Sequence, residues 1–104
     1  MNLLKSNHAV RTSSVAVAAE DQVSSELAGE AVILSLRTGM YYGLDPVGAR
    51  IWALLASPTS IADIRDTIVG EYDVDVDRCE RDVLTFVRQL LAQDLIEVGD
   101  GTPP

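Results

Sequence analysis

The chain has 104 residues, enough for one small domain with a single core and too few for two. Hydrophobic residues make up 47% of it, which excludes a disordered chain, and one cysteine, Cys79, excludes an internal disulfide. The net charge is −8, with eleven Asp/Glu against four Arg in residues 57–104, a surface that repels phosphate backbones and disfavours nucleic acid as a partner.

Residues 1–13 show no periodicity and are expected to form a flexible N-terminal arm. Arg11, Thr12, Ser13 and Ser14 interrupt any apolar run there, so no signal peptide is expected, and no segment approaches a membrane span. A single thiol fits a reducing compartment, and a cytoplasmic location is expected. Residues 15–18 form a short strand candidate, and 20–29, with Asp21, Ser24, Ser25 and Gly29, read as a connection of undefined form.

The stretch 29–55 carries the strongest pattern. Residues 31–36 are a β-branched and aliphatic run, and 40–44 hold two adjacent tyrosines. Arg37-Thr38-Gly39 between them suits a short hairpin loop, with Gly39 able to take positive φ. Asp45 is a good N-cap and Pro46 suits the first helical position, with Val47, Ile51, Leu54 and Leu55 following at helical spacing. If the strand 40–44 lies at a sheet edge, its unpaired backbone groups can accept an added strand, or the chain's own N-terminus can cover them.

Pro58 ends this first helix. Thr59 or Ser60, the latter with Asp63 three residues on, caps a second whose apolar stripe is Ile61, Ile64, Ile68 and Tyr72. Either Asp75 or Asp77 caps a third. Its apolar arc runs from Phe86 and Cys79 through Val83, Leu90 and Val87 to Leu91 and Leu84, roughly 160° wide at 100° per residue. So broad a face either touches both sheet and helices or gives one edge to a ligand. Residues 95–98 are a final short strand or the end of that helix, and 99–104 are a tail. Strands first and three helices after predict an α+β domain.

Chemistry is scarce. His8 is the only histidine and falls in the arm; Cys79 falls on an apolar helix face, where a structural cysteine is expected rather than a nucleophile. No catalytic pairing, zinc set or phosphate-binding loop can be assembled, so no enzyme activity, metal or cofactor is expected. Asp73-x-Asp75-x-Asp77 begins like an EF-hand loop but has Arg78 at position six and Leu84 at position twelve, so the match fails.

Residues 39–55, Gly-Met-Tyr-Tyr-Gly-Leu-Asp-Pro-Val-Gly-Ala-Arg-Ile-Trp-Ala-Leu-Leu, resemble the Y-x-L-[ND]-x-x-G-x-x-I-W segment of the PqqD-like family, the recognition elements of ribosomally made, modified peptides. Ser60-Ile61-Ala62-Asp63-Ile64, Glu71-Tyr72-Asp73-Val74-Asp75, Asp82-Val83-x-x-Phe86-x-x-x-Leu90 and Asp94-Leu95-Ile96 agree in register, so the resemblance spans 14–98. Asp45 stands where asparagine is commoner, and 22–29 is longer than the usual first turn. The resemblance is closest to stand-alone lasso-peptide B1 proteins.

It implies a winged helix-turn-helix, a three-stranded antiparallel sheet followed by three helices. It also implies a non-catalytic adaptor that binds a precursor's leader segment by β-strand addition and delivers it to a leader peptidase and a macrocyclase. A PqqD-type chaperone serving a radical SAM enzyme is the alternative, and a winged-helix DNA-binding regulator a weaker one, because Asp75, Asp77, Glu80 and Asp82 open the third helix. Either way the protein is a monomer or weak dimer. The expected peptide site joins the strand backbone of Met40, Tyr41, Tyr42, Gly43 and Leu44 to Cys79, Asp82, Val83 and Phe86 on the third helix. Val83 and Phe86 would wall a pocket or be wholly core; Asp82 would take a Lys, an Arg or a backbone N–H, or only be solvated.

Overall fold

Alternation of buried and exposed positions organises the first half of the chain, seen in a computed structural model that describes residues 10–100. Strand β1 is Val15–Ala18, β2 is Gln22–Leu27, β3 is Glu30–Ser35 and β4 is Tyr41–Leu44. In β3, Ala31, Ile33 and Ser35 are buried while Val32 between them is exposed, so one face of the strand meets the core. β2, β3 and β4 form a three-stranded antiparallel sheet with β3 in the centre.

Residues 20–29, expected as a connection, hold an entire strand. Five of the six residues of β2 are exposed, so its sequence carries no buried face to betray it. Pairing with β3 from Gln22↔Ser35 to Leu27↔Glu30 makes it a strand instead. The turn is Ala28-Gly29, with φ of 56° and 81°, and two positive φ values match the twist of a tight hairpin. The β3–β4 loop is five residues, 36–40, two longer than expected. The Gly39 N–H donates to Ser35 O at 2.8 Å with φ of 75°, as the sequence suggests for that glycine.

Helix α1 is Pro46–Leu54, and Asp45 Oδ1 accepts from the Gly48 N–H at 2.8 Å. The two-residue strand β5, Thr59–Ser60, runs into α2, Ile61–Glu71, capped by Ser60 Oγ from the Asp63 N–H at 3.0 Å. Of the two candidate caps for α3, Val76–Ala92, it is Asp75 that serves, its Oδ2 accepting from the Arg78 N–H. Strand β6, Ile96–Gly99, follows a turn at Asp94. β1 does not join the hairpin: it pairs with β5 on one side and β6 on the other, a second small sheet that staples the start of α2 to the end of the domain.

The three helices close over β3. Ile33, Leu55, Ile61, Ile64 and Val87 have no exposed surface, and burying each contributes about 1.5–3 kcal/mol. Arg50 forks onto Glu71 with two 2.8 Å bonds, joining α1 to α2, and Arg65 reaches Glu80 at 2.7 Å, joining α2 to α3. Most of the expected arm, 1–9 with His8, and most of the tail, 101–104, lie outside the described residues. Val10 is 3% exposed and packs in the core, and Thr12 and Ser14 accept backbone bonds from Ala62 and Ile61, so 10–13 are attached to the domain.

Candidate functional site

Strand β4 has β3 on one side and no neighbour on the other among the described residues. The Ser35 N–H donates to Met40 O, so this pair is hydrogen-bonded, and Ile33↔Tyr42 and Ala31↔Leu44 share its phase. Antiparallel ladders alternate, so the backbone groups of Met40, Tyr42 and Leu44 point at β3 and only those of Tyr41 and Gly43 face the open edge. Of five expected edge residues, two therefore present hydrogen-bonding groups outward.

Side chains alternate as expected. Tyr42 and Leu44 pack against the core, whereas Tyr41 is 69% exposed on the opposite face. The Tyr42 hydroxyl donates to Gln93 Oε1 at 3.0 Å, tying β4 to the C-terminal end of α3. Toward the N-terminal half of α3, a groove of about 620 Å³ is lined by residues of both β4 and α3.

Gly43 and Leu44 of β4 and Cys79, Asp82, Val83 and Phe86 of α3 line this groove; Met40, Tyr41 and Tyr42 do not. Its floor is Ile51, Ile68 and Val83, all buried, with Phe86 half-buried above them. Val83 is 2% exposed, so it is mainly core and reaches the groove only at its surface. Cys79 is 5% exposed with its Sγ 3.8 Å from Arg65 O, and burial pushes its thiol pKa up. A thiol held protonated is a poor nucleophile, so Cys79 acts as a small apolar lining group. Asp82 is exposed and sits 3.8 Å from Arg78, one helical turn away.

Sequence reasoning missed the other wall. Val47 and Gly48 of α1, Tyr72 at the end of α2, and Asp73, Val74 and Asp75 of the α2–α3 link all line the groove. Gly48 is the informative one: a Cβ there would lie 3.2 Å from Asp45 Oδ1, the oxygen that caps α1, and at ordinary contact distance, 3.4 and 3.5 Å, from Phe86 Cζ and Leu44 Cβ. The glycine leaves room for the Asp45 cap at the groove's base. Its signal was legible as a glycine inside a helix, a position that costs about 1 kcal/mol relative to alanine unless close packing requires it.

An open strand edge beside an apolar groove gives an extended chain backbone partners on one side and pockets for alternate side chains on the other, the arrangement of a strand-adding peptide module. Among the described residues no group of His, Cys, Asp and Glu could hold a metal ion, and no helix is long and apolar enough to cross a membrane. The family model described as coenzyme PQQ synthesis protein D (PqqD) matches residues 30–96, and the chain belongs to that family.

Solved structures share the fold. TbiB1, in complex with the TbiA(beta) leader peptide, is 40% identical over 85% of this chain and 99% of that one, with a TM-score of 0.74. A lasso peptide synthetase B1 complexed with the leader peptide is 24% identical over 79% and 96%, with a TM-score of 0.71. The PqqD truncation of Methylobacterium extorquens PqqCD, a stand-alone RiPP recognition element, is 18% identical over 88% and 97%, with a TM-score of 0.72. The last two bear on the fold alone. No curated protein sequence matches the chain.

Proposed function

We propose that this chain is a non-catalytic adaptor that binds the leader segment of a ribosomally made precursor peptide, of the lasso class, by adding it as a strand to β4. One observation carries the reading. The open edge of β4 borders an apolar groove on α3, in a chain 40% identical to a protein solved with a leader peptide bound. Tyr41 and Gly43 supply the backbone bonds, while Leu44, Val83, Phe86 and Cys79 supply the apolar wall and Asp82 a polar contact at its rim. The recognition domain spans 14–98 and works in the cytoplasm, as a monomer or weak dimer, without metal, cofactor, membrane or nucleic acid. It hands the bound precursor to a separate leader peptidase and macrocyclase, since the groove contains no nucleophile–base pair.

The test is calorimetric titration with a synthetic leader peptide encoded by the neighbouring precursor gene. Micromolar or tighter binding, weakened by a proline in the centre of the leader, is the expected result. Absence of heat with every neighbouring leader sinks the reading. The family match to PqqD favours a second reading, a chaperone presenting a precursor to a radical SAM enzyme. Co-purification with such an enzyme rather than with a peptidase separates the two.

A further inference from the structure

We infer that the groove selects, within the strand added to β4, a bulky apolar side chain and, two residues away on the same face, a lysine or arginine. The inference rests on the strand-addition reading above and specifies the peptide chemistry that it reads.

The spacing comes from register. Residues directly opposite one another in neighbouring strands share a face. Peptide residues opposite Tyr42 and Leu44 therefore point toward α3, and those opposite Tyr41 and Gly43 point away. Groove-facing side chains come at every second position of the peptide.

The one opposite Leu44, which lines the groove as Tyr42 does not, meets the apolar floor of Ile51, Ile68, Val83 and Phe86, where only a hydrophobic side chain replaces water without loss. The next, beyond the end of β4, meets a different surface. Asp45, Asp73, Asp75 and Asp82 line the rim, against the single cation Arg78. Arg78 and Asp82 lie 3.8 Å apart with side chains 75% and 73% exposed, a pair too solvated to neutralise the site. The dipoles of α1 and α3, whose N-termini Asp45 and Asp75 cap, add only about half a positive charge each. The rim stays anionic.

Its apolar members fit the same guest. Val47 and Val74 line the groove and are 38% and 43% exposed, giving the methylene stem of a lysine or arginine a surface to lie along while its head reaches the carboxylates. An acidic residue at that position meets repulsion and no donor, so the rim also rejects.

The experiment is selection of a displayed library of random twelve-residue peptides against the whole chain. Fluorescein-labelled synthetic copies of the winners are then titrated by anisotropy. Enrichment of apolar-x-Lys/Arg, in one chain direction, is expected. Replacing that basic residue by Glu should weaken binding about tenfold or more, and moving it by one position should lose most of the advantage. The double variant Asp73→Asn/Asp82→Asn should bring the Lys and Glu peptides within about threefold of each other, while Glu26→Gln on β2 should change neither. Equal binding of Lys and Glu peptides overturns the inference. So does equal binding of the shifted peptide, which would report only the diffuse charge of the chain. Both outcomes leave strand addition standing if Gly43→Pro still weakens the winners. Winners indifferent to Gly43→Pro overturn strand addition and this inference together.

Discussion

The two edges of the hairpin sheet are chemically alike as backbone and unlike as sites. β2 and β4 each present one side without a partner among the described residues. By the same alternation, β2 directs the backbone groups of Gln22, Ser24 and Glu26 outward, as β4 directs those of Tyr41 and Gly43. Yet β2 is exposed along nearly its whole length and shares only a smaller groove, about 280 Å³, with Ala49, Trp52 and Ala53 of α1, whereas β4 borders the groove of about 620 Å³ on α3. An edge offers hydrogen bonds that water also offers, so it discriminates little by itself. A roomy groove with an apolar floor set beside it adds burial and side-chain selection, and the larger groove, floored by Ile51, Ile68 and Val83, is what makes β4 the candidate site.

The contrast is broken most sharply by removing the helix side. Phe86→Ala should weaken leader binding by more than tenfold and destabilise the fold by about 1–3 kcal/mol, less than for a fully buried phenylalanine because Phe86 is half-buried. Titration at a temperature well below the melting point separates the two effects. Unchanged affinity would mean that the groove plays no part in binding. Next comes a matched pair on the two edges. Gly43→Pro removes an outward N–H from β4, where a Cβ meets no atom within 4 Å, and should cost about tenfold in affinity. Ser24→Pro, the equivalent lesion on β2, should leave affinity within about twofold, and equal losses would erase the distinction between edges.

Smaller effects sharpen the picture of how the groove is held open. Tyr42→Phe deletes the exposed bond to Gln93, and hydrogen exchange should speed up at the C-terminal end of α3 with a stability loss of about 0.5–1 kcal/mol. The pair Arg50–Glu71, which fastens α1 to α2, acts through pH. The Arg50 guanidinium hydrogen-bonds Glu71 and holds its carboxyl below its ordinary value of 4.5. The pair's contribution is therefore present above that value and is lost as pH falls through the depressed one. Melting temperature followed from pH 6 to pH 3 should fall slightly less steeply in Arg50→Gln than in the parent; identical slopes would show the pair to be thermodynamically silent.

The local elements were legible because local physics makes them. Asp45-Pro46, Ser60 and Asp75 begin helices through caps that need only their own next turn, and Gly39 bends the hairpin through its own φ. Part of the candidate groove was legible in the same way: Leu44, Cys79, Asp82, Val83 and Phe86 lie on periodic faces. β2 was not, since a strand exposed on nearly every residue has no buried face to show in the sequence and exists by pairing with β3. Nor was the separation of β1 from the hairpin, which is settled by its long-range pairing with β5 and β6.

The sequence by itself determined the β3–β4 hairpin and the three helices after it, the Asp45 cap, the acidic balance and the broad apolar face of α3. Tertiary structure alone decided which two residues of β4 face outward and that Tyr42 clamps Gln93. It alone brought Gly48, Ile68 and Asp73 into one groove with Asp82. Those facts depend on register and on helix packing, which join residues dozens of positions apart, and no local pattern encodes a distance of that kind.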